Sequence, residues 1–315
     1  MRYFLFLLGL TLTIFAAACG SNQAPSGKPV VLCSIFAYYD AARAIGADKF
    51  DVRVLMPVAK SPHEYETTVG DKITASQAAL YVKNGMGLDD RFDKLFDGSK
   101  AQVVTISDAI PKNLLLQTEE TSLDEGDAHA GAGHAHGGEH TPGGSYLNPH
   151  IWLDPEVQMK AAEIIRDAMI RLDPADTAAL ERNAAQYISE LKKLDADFRA
   201  QAATFKTRDF IGFHSAYDYM AHRYGLRQIA AIEELPGSDI TVAQTDKLIR
   251  LIKDKGIKYI AVESAFSANS AKLIERETGA REIILQPLET YDDARDTYVG
   301  YMRKNLETLK TALGG

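Results

Sequence analysis

Eight histidines carry the coordination chemistry of this chain, and they fall into two groups. His63, His150, His214 and His222 stand in patterned sequence, whereas His129, His134, His136 and His140 crowd a low-complexity tract of Gly, Ala and acidic residues. In the first group, His63 sits in Ser61-Pro62-His63-Glu64-Tyr65-Glu66 just after a strand pattern, and His150 follows Asn148-Pro149 ahead of a helix pattern. His214 ends the apolar run Phe210-Ile211-Gly212-Phe213. A single buried histidine is ordinarily a structural residue bonded to backbone. Three of them at strand ends, beside a histidine-rich tract, read instead as ligands. Imidazole suits zinc, which takes tetrahedral nitrogen sets at about 2.0–2.1 Å, while manganese prefers more carboxylate oxygen. His222 lies eight residues beyond His214 within the next helix pattern and reads as a structural or supporting residue.

Catalytic motifs are missing from the sequence. It has no HExxH pair, no Walker loop, no GxGxxG and no CxxC, so metal binding without catalysis is the leading reading. A zinc hydrolase of the cell envelope is the rival from another class, because three histidines with an open fourth position also build catalytic sites. It would need a positioned base, and the sequence offers none by motif. The 35 Lys and Arg against 43 Asp and Glu give a net charge of −8, with no basic stripe interleaved with aromatics, which argues against a nucleic-acid partner.

The tract from Asp124 to Ser145 cannot form a packed core, but its histidines and carboxylates can gather ions loosely, with nickel and copper as acceptable to it as zinc. The N-terminus carries Arg2, an apolar run from Tyr3 to Ala18, and Ala16-Ala17-Ala18 before Cys19, the pattern of an export signal. The run is slightly short for a bilayer span, which needs about 20 apolar residues. Cys33, the other cysteine, lies within Val30-Val31-Leu32-Cys33 and reads as a small core residue.

A chain of 315 residues exceeds the size at which one core usually stops growing, so two domains are expected. Strand patterns at 30–35, 52–56 and 101–106 alternate with helix patterns at 39–45 and 74–83, which predicts an α/β unit with a mostly parallel sheet. A second set follows, with strands at 209–213, 228–232, 258–262 and 282–285 and helices at 216–224, 242–255, 270–278 and 297–313. Between them, Leu180, Ala184, Tyr187, Leu191, Leu194 and Phe198 recur at helical spacing in 174–205. That helix would be roughly 45 Å long and reads as a spine joining two lobes. The expected division is a signal and linker at 1–27, an N-terminal α/β lobe at 28–173 that includes the tract 124–145, the linking helix 174–205, and a C-terminal α/β lobe at 206–315. Ligands in such folds bind outside the carboxyl ends of the strands, in the cleft between the lobes.

These residues resemble the substrate-binding lipoproteins of bacterial zinc and manganese ABC transporters, the cluster A-I solute-binding proteins. The resemblance rests on Ser34-Ile35-Phe36 with Ala44-Ile45-Gly46, on the Pro62-His63 and Asn148-Pro149-His150-Ile151-Trp152-Leu153-Asp154-Pro155 segments, and on Phe213-His214-Ser215-Ala216-Tyr217 with Arg223-Tyr224-Gly225-Leu226. It extends to Thr297-Tyr298-Val299-Gly300-Tyr301-Met302-Arg303-Lys304-Asn305. It implies two α/β lobes bridged by one rigid helix, metal capture by a monomeric receptor, and delivery to an ABC permease. It also implies lipid attachment at Cys19, which places the protein in the periplasm or on the cell surface. Family ligands map onto His63, His150 and His214, and histidine at the third position implies Zn2+, with Mn2+ as the alternative cargo. The fourth family ligand is an Asp before Pro-Leu, where this chain has Gln286-Pro287-Leu288. Gln286 is therefore the expected fourth donor, with water or Glu289 as substitutes, and a weaker site is expected from the lost carboxylate.

Overall fold

The computed structural model describes residues 27–118, 146–233, 240–263 and 269–314. The export segment with Cys19, and the tract with His129, His134, His136 and His140, lie outside the described residues.

Short apolar runs form parallel strands here because both faces of each strand are covered. The first set is β1 (Val30–Cys33), α1 (Phe36–Gly46), β2 (Asp51–Val54), α2 (Val69–Ser76), β3 (Leu80–Lys83) and β4 (Gln102–Thr105). These strands form one parallel sheet in the order β2-β1-β3-β4. Val31, Leu32, Cys33, Leu80, Tyr81 and Val82, on the two central strands, are all fully buried. Burial also pushes the Cys33 thiol well up from its ordinary pKa, so it is an inert core group.

The expected helix over 74–83 is instead the end of one element and the whole of another. A capping box between Thr68 and Asp71 starts α2, which ends at Ser76 before Gln77, and the chain then extends into β3. An apolar run of four residues buried on both sides has no periodicity of its own, which is why helix and strand were confounded there.

After a two-stranded antiparallel ribbon, β5 (Gln117–Thr118) with β6 (Tyr146–Leu147), the chain enters α3 (Pro155–Leu172) and α4 (Thr177–Ala202). Asp154 caps α3 by accepting from the Glu156 N–H, with Pro155 at the first helical position. α4 has 26 residues, roughly 39 Å, and its predicted apolar face of Leu180, Ala184, Tyr187, Leu191, Leu194 and Phe198 is the face it buries.

The second set comprises β7 (Asp209–Gly212), α5 (Asp218–Tyr224), β8 (Arg227–Ala231), α6 (Val242–Lys255), β9 (Tyr259–Val262), α7 (Asn269–Thr278), β10 (Arg281–Ile284) and α8 (Tyr298–Leu313). Its strands make a second parallel sheet in the order β10-β9-β7-β8. α4 packs against α1 and α3 on one side and against α5 and α8 on the other, so one apolar core runs from Val31 through Leu191 to Leu309. Arg223 of α5 reinforces this seam. Its guanidinium lies 2.7 Å from Asp195 of α4, 2.6 Å from Glu156 and 3.1 Å from Asp154 at the start of α3.

Phe198 is fully buried and stacks on Tyr224 at 4.5 Å between ring centroids. Phe198→Ala should cost about 3–5 kcal/mol in urea unfolding, while Ala at the exposed Lys192 should stay within about 0.5 kcal/mol.

Candidate metal centre

Each donor is delivered by the end of an element whose own sequence fixes the chain direction there. His63 lies in the turn after β2, where its N–H donates to the Ser61 hydroxyl at 3.2 Å. His150 follows β6. Its N–H and its ring Nδ1 both face Asn148 Oδ1, at 2.9 and 2.8 Å, and because an amide oxygen only accepts, Nδ1 carries the proton and Nε2 is free to coordinate. His214 follows β7 two residues after Gly212. A Cβ on Gly212 would come within 2.7 Å of the His214 carbonyl and 2.6 Å of Gln228, so only glycine lets the strand end turn this tightly. Gln228 then holds the His214 carbonyl through Nε2 at 3.0 Å.

The structure brings these three rings together. His150 Nε2 lies 3.3 Å from His63 Nε2 and 3.2 Å from His214 Nε2. The fourth converging group is Glu289, whose Oε1 is 3.0 Å from His63 Nε2, 3.2 Å from His150 Nε2 and 3.8 Å from His214 Nε2. All four donor atoms fall within 4.8 Å of one another. Four donors about 2.05 Å from a tetrahedral zinc would be about 3.3 Å apart, so these spacings fit that ion closely.

The carboxylate that converges with the rings is Glu289, expected only as a substitute for Gln286. The backbone of Gln286 is engaged by Asn305 of α8 in both directions, with its N–H donating to Oδ1 at 2.8 Å and its carbonyl accepting from Nδ2 at 2.9 Å. The chain then passes Pro287 and turns at Leu288, which adopts a left-handed φ of 60°. That turn aims the next side chain, Glu289, at the histidines. The segment is held at nearly every carbonyl. Tyr217 Oη donates to Leu285 O at 2.8 Å, Trp152 Nε1 to Pro287 O at 2.7 Å, and the Phe36 N–H to Glu289 O at 2.9 Å. The carboxylate expected to be missing is thus supplied three residues later. The signal was present in the sequence as an acid within one turn of the slot, but choosing it required the φ of Leu288.

A second carboxylate went unread. Glu263, at the end of β9, is buried and lies 2.5 Å from His214 Nδ1. It sits on the ring nitrogen opposite the converging one, as the outer partners of metal-bound histidines do. His222 is exposed on α5 and is not among the four converging groups, because the chain turns through 215–217 before that helix begins.

The electrostatics sort the rings by their neighbours. Burial drives the His150 pKa down to about 3, against the pull of Glu289. For His214 burial acts in the same direction, but the Glu263 and Glu289 carboxylates outweigh it and raise the pKa to about 10. Glu289 is itself held well below its ordinary value, since the surrounding histidines outweigh its burial.

Comparison with known proteins agrees with this geometry. The family described as "Zinc-uptake complex component A periplasmic" matches residues 31–312. Zinc-binding lipoprotein AdcA of Streptococcus pneumoniae is 29% identical over 315 residues, covering 98% of this chain and 61% of its own length. The high-affinity zinc uptake system protein ZnuA of Bacillus subtilis is 28% identical, covering 95% of this chain and 94% of its own. The chain therefore spans about three fifths of the streptococcal relatives and nearly all of the Bacillus one. Among solved structures, the Zn(II)-bound ZnuA-like domain of S. pneumoniae AdcA aligns with a TM-score of 0.72 at 26% identity, covering 92% of this chain and all of that one. The Mn2+ complex of FpvC from Pseudomonas aeruginosa aligns at 0.76 and 26% identity, covering 91% and 98%.

Glu263 and Glu289 outweigh burial and favour the protonated form of His214, so metal entry there should displace a proton. Apparent zinc affinity should therefore rise about tenfold per pH unit between pH 7 and 9, and calorimetry in buffers of different ionisation enthalpy should record about one proton released. A pH-independent affinity would contradict this charge state. Glu263→Gln should weaken zinc binding by about 10- to 100-fold without loss of the fold.

Proposed function

From the premise that the chain belongs to the zinc-uptake component A family, we propose that it is an extracytoplasmic zinc receptor of an ABC-type importer that captures Zn2+ and hands it to a membrane permease. The observation that carries the reading is the buried group of His63, His150, His214 and Glu289, with donor spacings of 3.0–3.8 Å along the recorded contacts. Three imidazoles and one carboxylate suit zinc better than manganese and leave a bound dication partly neutralised. Residues 28–173 and 206–315 serve as the two lobes and 174–205 as their joining spine. His63 and His150 come from the first and His214 and Glu289 from the second, so metal holds the two lobes together. Binding without turnover is the reading this group supports, with Glu289 facing the three rings and Glu263 set against His214.

Export rests on the Arg2-to-Cys19 pattern, with acylation of Cys19 tethering the protein to the membrane and keeping it at the periplasmic or outer face. No helix among the described residues is long and apolar enough to cross a bilayer. The histidines at 129, 134, 136 and 140 serve as an accessory collector that raises the local ion supply.

Protein lacking residues 124–145 should keep one tight zinc site per chain in a chelator-competition titration. His63→Ala, His150→Ala, His214→Ala and Glu289→Gln should each weaken it, and persistence of the tight site in the triple histidine variant would overturn the assignment. In the same assay zinc should displace manganese; the reverse order would make manganese the cargo. Hydrolysis of generic phosphate or carboxylic esters by the zinc-loaded protein would revive the hydrolase reading.

A further inference from the structure

The second sheet carries its metal donors beyond the carboxyl ends of β7 and β10. At the opposite, amino ends of β7, β8 and β9 the structure opens a cavity of about 250 Å³. Its walls are unusual for a chain of net charge −8. Lys206, Arg208, Arg227, Lys255 and Lys258 line it, and Asp209 is the acid among the lining residues. Asp209 is paired with Arg227, whose Nε and terminal nitrogen donate to the two carboxylate oxygens at 2.6 and 3.0 Å. Arg208, Lys255 and Lys258 make no ion pair among the described residues, although Arg208 reaches the Tyr224 carbonyl at 3.5 Å.

Crowding like charges around a concavity costs free energy unless an anion occupies it. An independent feature of the same wall points the same way. The Thr207 hydroxyl is buried with no hydrogen-bond partner, and an orphaned polar atom of this kind calls for a ligand or water. The Lys206 and Thr207 N–H groups donate to Leu313 O at the end of α8, which fixes this segment as a rigid lip. Guanidinium and ammonium donors lining one concavity match the oxygens of a phosphoryl group.

We propose that this cavity is a phosphate-binding site, separate from the metal centre, for a phosphate monoester or diester. The two sites lie at opposite ends of one sheet, so zinc and the anion can be held together. Inorganic pyrophosphate is the soluble probe, and vesicles of phosphatidylglycerol in phosphatidylcholine are the membrane probe. The full-length, zinc-loaded protein should bind pyrophosphate saturably in calorimetry, with affinity falling as salt is raised. Arg208→Ala combined with Lys258→Ala should weaken it at least about tenfold with zinc affinity unchanged, since two charge-assisted bonds are lost. Thr207→Val, which removes no charge, should weaken it about threefold or more, as the loss of one neutral hydrogen bond predicts. Control removal of Lys192 and Lys193 on α4 should change nothing.

Pyrophosphate binding without vesicle binding identifies a free phosphate compound as the ligand. Vesicle co-sedimentation that the Arg208 and Lys258 changes abolish identifies a lipid headgroup. Non-saturating binding, or equal weakening by the Lys192 and Lys193 control, overturns the proposal. A melting curve on each variant separates loss of the site from loss of the fold.

Discussion

Three imidazole nitrogens and one carboxylate oxygen are forced within 4.8 Å of each other inside a protein, and the rest of the architecture follows from that constraint. Such a group is unfavourable by itself. Its members are removed from water, and the charge on Glu289 is stabilised by the rings it faces. The arrangement persists because each member is fixed from behind. Asn148 holds His150, Glu263 lies against His214, and four separate donors pin the backbone of 285–289. A cation then finds its ligands already oriented, and little ordering entropy remains to be lost on binding.

The outer partners divide the labour by protonation. Asn148 Oδ1 can only accept, so it keeps a proton on Nδ1 of His150 and leaves Nε2, on a ring that burial keeps neutral, turned to the site; its own amide nitrogen donates to Ser215 O and Asp218. Glu263 favours a charged His214 in the absence of metal. The site thus holds a proton where it will hold a dication. Cation and proton compete for one ring while the other stays ready, which couples capture of the metal to release of a proton.

Donors from two sheets can meet only if the sheets are held at a fixed separation, and α4 supplies that rigidity. Its buried stripe is shared by α1 and α3 on one side and α5 and α8 on the other, and Arg223 ties α5 to both α3 and α4. Trp152 joins the same frame to the site. Its indole reaches Pro287 O, and its own carbonyl accepts from Tyr298 of α8, so the residue two positions after a ligand braces the loop that carries another.

Periodicity and residue type alone determined the alternating elements, the spine and the three histidines, because each is encoded locally. A 3.6-residue stripe marks α4, apolar runs mark the strands, and histidine after Pro or at a strand end has few competing roles. The same local reading failed at β3, where Leu80 to Lys83 is buried on both faces and carries no period to distinguish strand from helix. It left the fourth donor open between Gln286 and Glu289. Gln286 and Glu289 are three residues apart, and which of them supplies the charge depends on a left-handed turn at Leu288 and on the anchoring of that segment by Trp152, Tyr217 and Asn305. Glu263 was invisible for the same reason, since nothing near it in sequence points to a histidine 49 positions earlier. Ligand type was thus written in the chain, whereas ligand direction and charge balance were decided by contacts between residues that only folding brings together.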